Sequence, residues 1–178
     1  METAPVGFTF WLRWLITFLG FPVGGSLAYG LVRSVDGIAD AAIAGAAAGA
    51  VIGAAQWLIL RQQIPVGPLW ILSTAVGFGA GLAASVGAMG VATGGSALLV
   101  RALIAGILIG GLQWLVLRQF VAMAALWVPT VGVCWTLGWA VTRAAGVDLS
   151  RGWAVFGSTG ALAFVALTGA VMTWLLRH

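Results

Sequence analysis

The sequence predicts an all-α integral membrane bundle of six transmembrane helices, built as three tandem helical hairpins in a single transmembrane domain, 1–178. Three observations carry this expectation. The 178 residues are 62% hydrophobic and 7% charged, against roughly 25% charged in soluble domains, so a water-exposed fold would have too little polar surface. The apolar residues fall in six continuous runs near the ~20 residues that a helix needs to cross a ~30 Å hydrocarbon layer. The end of one even-numbered run recurs in the next even-numbered run, with nine of fourteen positions identical. The longest water-loving stretch, Arg33 to Asp40, is too short for a soluble domain, which puts any activity in the membrane plane or at its rims.

The runs are bounded by charges and turn residues. They extend from Phe8 to Val32, Ile38 to Leu60, Val66 to Val91, Ala97 to Leu117, Met123 to Thr142 and Gly152 to Leu176. The first begins after Glu2, where a signal peptide would carry basic residues, and reads as a retained helix. Pro22, flanked by Gly20, Gly24 and Gly25, predicts a kink in it. The runs lack the polar–apolar alternation of a lipid-facing β-barrel, so they read as helices. Trp11, Trp14, Trp57, Trp70, Trp114, Trp127 and Trp174 lie near run ends and read as an aromatic belt at headgroup depth; Trp135, Trp139 and Trp153 fit that belt less plainly.

The repeat is the most specific signal. Residues Gly49 to Gln62 fall on Gly106 to Gln119 at an offset of 57 residues, with a shared Gln-Trp-Leu-x-Leu-Arg-Gln. The same offset carries Trp70 to Trp127, Gly81 to Gly138, Gly20 to Gly77 and Phe21 to Phe78. A weaker third copy, Gly169 to Arg177, has Thr173 in place of Gln and one residue fewer between Trp and Arg. Hairpins are thus expected over about 8–62, 66–119 and 123–178.

Net charge is +4, and all eight basic residues are Arg. They lie singly at run ends, which suits headgroup anchoring and excludes a nucleic-acid surface. Arg13, Arg61, Arg118 and Arg177 fall on one membrane face; Arg33, Arg101, Arg143 and Arg151 fall on the other, with Asp36, Asp40 and Asp148. Charge compensation on the second face favours cytoplasmic termini in a bacterial inner membrane. The three acids read as loop ion pairs and as N-caps of the second and sixth helices.

Four sets of residues invite a functional reading. Gly45, Gly49 and Gly53, and likewise Gly106 and Gly110, form stripes that admit a second backbone, either within the chain or from a partner subunit. Gln56 and Gln113 lie close to those stripes and face other helices, joined by interhelical hydrogen bonds or, with Thr173, lining a threefold polar constriction. Arg61, Arg118 and Arg177 close the even helices electrostatically, or together contact an anion or lipid headgroup. Cys134, the sole cysteine, reads as a small buried hydrophobe. No acid has a His or Cys beside it for a metal site, and the single His is His178; no cofactor is expected.

The Gln-Trp-Leu-x-Leu-Arg unit followed by a Trp-opened helix resembles a group of uncharacterised bacterial polytopic membrane proteins built from such hairpins, over about residues 40–140. The resemblance implies no activity and no site residue. Size and helix number are also similar to the substrate-binding subunits of energy-coupling-factor vitamin transporters, from which the hairpin repeat departs. The expectation is a structural or accessory membrane protein meeting lipids and a larger complex or itself. The alternative is a transporter or channel with its site between repeats. An intramembrane enzyme is disfavoured, because no Asp, Glu, His or Lys sits at mid-membrane depth.

Overall fold

The computed structural model describes residues 7–91, 95–148, 155 and 157–178; Glu2, Arg151 and Trp153 lie outside them. The described residues form helices and connecting turns, with no strand among them. Six helices are long and apolar enough to cross a membrane: α1 (Phe8–Val32), α2 (Ile38–Leu60), α3 (Leu69–Met89), α4 (Gly95–Leu117), α5 (Ala124–Ala144) and α6 (Ser158–Leu175). The chain is an integral membrane protein folded as a helical bundle.

Helix α1 is interrupted. Ile16–Leu19 tightens to 3-10 geometry before α-helix resumes at Gly20. Pro22 explains the position, since it has no N–H for the Phe18 carbonyl and its ring crowds that carbonyl. The acids do not cap as the sequence suggested. Gly37 is the N-cap of α2 and Gly157 that of α6, neither with a side-chain cap bond. Asp36 instead accepts a bond from the Ser34 hydroxyl at 2.6 Å. Asp40 lies in the first turn of α2, where a carboxylate favours the helix dipole. Asp148 ends well before α6 begins.

Each helix packs mainly on its sequence neighbours, and α6 returns to α1, closing the bundle into a ring. The ring is apolar outside as well as inside: Leu19, Val23, Leu58, Leu72 and Val133 are among the large side chains more than half exposed. With lipid outside, apolar burial drives helices together only weakly, and close backbone packing must do so instead. Glycines supply it. A methyl group on Gly20 would lie 3.1 Å from the Ile52 Cα, and one on Gly77 would lie 3.0 Å from the Ile109 Cα. At Gly24 it would meet the Ala48 carbonyl oxygen at 2.9 Å, and at Gly81 the Ala105 oxygen at 2.8 Å. Residues and partners in each pair of contacts are offset by 57 positions.

The Gly stripes face neighbouring helices of the same chain. Methyl groups on Gly45, Gly49 and Gly53 would come within 2.6–2.8 Å of Phe78 and Thr74 on α3. Methyl groups on Gly106 and Gly110 would come within 2.8–3.1 Å of Gly132, Val131 and Val128 on α5. These faces are occupied within the bundle and are not open to a second chain.

Candidate functional site: the buried glutamine–tryptophan cluster

The odd-numbered helices line the middle of the ring. Trp14, Trp70 and Trp127 are fully buried there. Their ring centroids are 6.4 Å apart for Trp14–Trp127, edge to face, and 6.5 Å for Trp70–Trp127. About two turns further along the same helices, Phe21, Phe78 and Trp135 form a second aromatic layer, with Trp135 on Phe78 at 4.8 Å and on Phe21 at 6.4 Å. Phe164 of α6 completes this layer against Phe21 and Trp135. Trp14, Trp70 and Trp127 therefore correct the aromatic-belt expectation. They lie in the first turns of their helices, but their rings point into protein, where each indole N–H finds a side-chain acceptor on another helix.

Those indoles are satisfied by the even-numbered helices. Trp70 Nε1 donates to Gln56 Oε1 at 3.3 Å, and Trp127 Nε1 donates to Gln113 Oε1 at 2.8 Å. Trp14 Nε1 donates to Thr168 Oγ1 at 3.3 Å. Each indole thus bonds the helix that precedes its own around the ring, and the α1–α6 pair closes the circuit. The amide orientations follow. An indole only donates, so the Gln56 and Gln113 oxygens must face their indoles. The Gln113 NH2 is then free to donate to Gln56 Oε1 at 3.1 Å and to Thr74 Oγ1 at 3.0 Å.

Gln56 and Gln113, both nearly fully buried, therefore meet directly, α2 to α4. Thr173 is not brought to them. Its hydroxyl donates to the Gly169 carbonyl of its own helix at 2.6 Å, the back-bond available to a short Thr side chain. Thr168 takes the corresponding place opposite Trp14, with its own proton on the Phe164 carbonyl at 2.7 Å. Thr74, Thr168, Trp14, Trp70 and Trp127 are members that sequence reasoning missed. A signal existed in part: Gln56 to Trp70 and Gln113 to Trp127 are both separations of 14 residues.

Thr17 stands 57 positions before Thr74. It is buried, yet its Oγ1 has no hydrogen-bond partner. In α3 the equivalent oxygen accepts from Gln113. In α1 it lies in the 3-10 turn ahead of Pro22, where the local backbone differs from that of α3.

The Arg set is separate from this cluster. Arg61 lies over the Trp57 ring at 4.5 Å and Arg118 over the Trp114 ring at 5.2 Å. Both pairs are cation–π contacts one turn apart at an even-helix C-terminus. At the C-terminus of α6 Trp174 stacks on His178 at 5.0 Å, and Arg177 is exposed. Arg13 ties α1 to this rim by donating to Gln62 Oε1 at 3.0 Å. Cys134 is buried on α5. Among the described residues no three His, Cys, Asp or Glu side chains are grouped as a metal site. No family model, curated protein or solved structure matches the chain.

Proposed function

We propose that the chain is a structural or accessory membrane subunit: a rigid six-helix ring, made by triplication of a hairpin, that packs through its lipid-facing surface against a larger membrane complex or against itself. The observation that carries this reading is the direct Gln113–Gln56 bond with an indole on each amide oxygen. The polar side chains at the middle of the bundle hold helices to one another, and two aromatic layers fill the space around them. A solute path needs donors and acceptors turned toward a lumen, and these are turned toward each other. The reading assigns no catalytic role and no cofactor. It places the termini, with Arg13, Arg61, Arg118 and Arg177, on the cytoplasmic side of a bacterial inner membrane.

Because the Gly stripes are used within the chain, the partner surface is the outer apolar face, where Ile43, Leu58, Leu72 and Val76 are exposed. Extraction from native membranes in mild detergent, followed by native mass measurement, tests this. The expected result is a stable assembly larger than one chain; a lone monomer throughout removes the proposal. Proteoliposome flux tests the transporter alternative, which requires solute movement that Gln56→Leu with Gln113→Leu abolishes.

A further inference from the structure

The ring closes unevenly between its first and last helices. Near the rim that carries the termini, Trp11 Nε1 donates to the Ala166 carbonyl at 2.9 Å, Trp14 reaches Thr168, and Gly169 admits the Trp14 ring. Toward the opposite rim the two helices part. A cleft of about 430 Å³ lies there, lined on α1 by Phe21, Pro22, Gly25, Ser26 and Tyr29, and across from them by Val155, Gly157, Ser158 and Ala161. Its cause is legible in the residues. Gly25, Ser26, Ser158 and Ala161 contribute little or no side chain to its walls, which leaves the space between the larger lining residues unfilled. The volume falls within the ~300–1,000 Å³ of ordinary ligand sites.

We propose that this cleft holds one acyl chain of a membrane phospholipid, with the lipid phosphate at Arg33. Three features point to that occupant. Its lining residues Pro22, Ser26 and Tyr29 are exposed on a membrane-spanning helix, so bilayer lipid is what the cleft meets. From Phe21 to Tyr29 it runs about 12 Å along the helix at 1.5 Å per residue, close to the ~15 Å thickness of one leaflet's hydrocarbon. It is also graded along that length. Phe21 and Pro22 form the deep end, Ser26 and Ser158 bring hydroxyls midway, and Tyr29 stands at the mouth, with the Arg33 guanidinium 5.7 Å from its ring centroid. Arg33 is held there by a backbone turn with φ of 61°, a conformation that non-glycine residues rarely adopt. This inference stands apart from the accessory role: a lipid can fill the cleft whether or not a protein covers the outer face.

The test uses the full chain, delipidated in detergent and titrated with palmitoyl-oleoyl phosphatidylglycerol or with the diacylglycerol of the same chains, read by native mass spectrometry. The expected result is one phosphatidylglycerol retained per chain, with at least a fivefold preference over diacylglycerol. Ser26→Trp and Ser158→Phe, which fill the cleft from exposed positions on opposite walls, should each lower occupancy at least fivefold. Arg33→Gln should bring phosphatidylglycerol down to the diacylglycerol level. Leu115→Trp, at an exposed position on α4, should bind as the parent does, and a thermal melt confirms that each variant is folded. Undiminished retention in both cleft-filling variants overturns the site. Equal retention of the two lipids by the parent overturns the phosphate assignment. A dimer that retains no lipid overturns both, since a second copy then covers the cleft.

Discussion

Gln113 and Gln56 face one another across the bundle at 3.1 Å, and the direction of that bond is dictated by two tryptophans. Amides buried among apolar helices are costly unless paired. Here each amide oxygen receives an indole proton first, and the remaining Gln113 protons bridge to α2 and α3. The α2–α4 bond joins the first two even helices without any contact through their Gly stripes.

A double-mutant cycle on Gln56→Leu and Gln113→Leu should return a coupling energy of about 0.6–2 kcal/mol, the range of interhelical side-chain bonds in membranes. Unfolding in mixed detergent micelles is the measurement. Additive losses would show that the amides do not interact.

Trp127→Phe keeps an aromatic ring and removes the 2.8 Å donor to Gln113. It should cost about 1–3 kcal/mol, because the amide oxygen is left unsatisfied. Adding Gln113→Leu to that background should cost less than it does in the parent. If the second substitution costs the same in both backgrounds, the two side chains are energetically independent.

Thr17 and Thr74 should respond oppositely to the same change. Thr74→Val removes an oxygen that accepts from Gln113 and should destabilise by about 1 kcal/mol. Thr17→Val removes a buried hydroxyl with no partner and should be neutral or raise the melting temperature. Equal destabilisation at both positions would mean that Thr17 has a bound partner such as water.

Glycines divide by what surrounds them. Gly106→Ala would push a methyl group to 2.8 Å from Gly132 Cα and Trp135 Cβ, an overpacking that typically costs about 1–3 kcal/mol. Gly111→Ala meets nothing within 4 Å and should be tolerated or stabilising by up to about 1 kcal/mol through helix propensity. The comparison of unfolding midpoints fails the packing account if Gly106→Ala is harmless.

The sequence alone determined the membrane setting, the helix count and most boundaries. The range for α2, Ile38 to Leu60, agrees with the structure at both ends, and the Pro22 break lies within one turn of the observed 3-10 segment. These follow from local physics: hydrocarbon thickness sets run length, and a missing N–H interrupts a helix wherever it occurs. The tertiary structure decided which way side chains point. Continuous apolar runs are apolar on every face, so they carry no sign of which face turns inward. Trp14, Trp70 and Trp127 accordingly read as headgroup anchors and lie in the core, whereas the Gly stripes, open to either use, pack inside the chain. Thr173 read as the third partner of Gln56 and Gln113 by its place in a degenerate repeat. Its hydroxyl bonds the Gly169 carbonyl of its own helix, and Thr168 meets Trp14 in its stead. The pairing of Gln56 with Gln113 was legible as two buried amides on equivalent helices. That they bond each other, with a proton from Trp70 or Trp127 on each oxygen, depended on the ring that brings α2, α3, α4 and α5 to one layer.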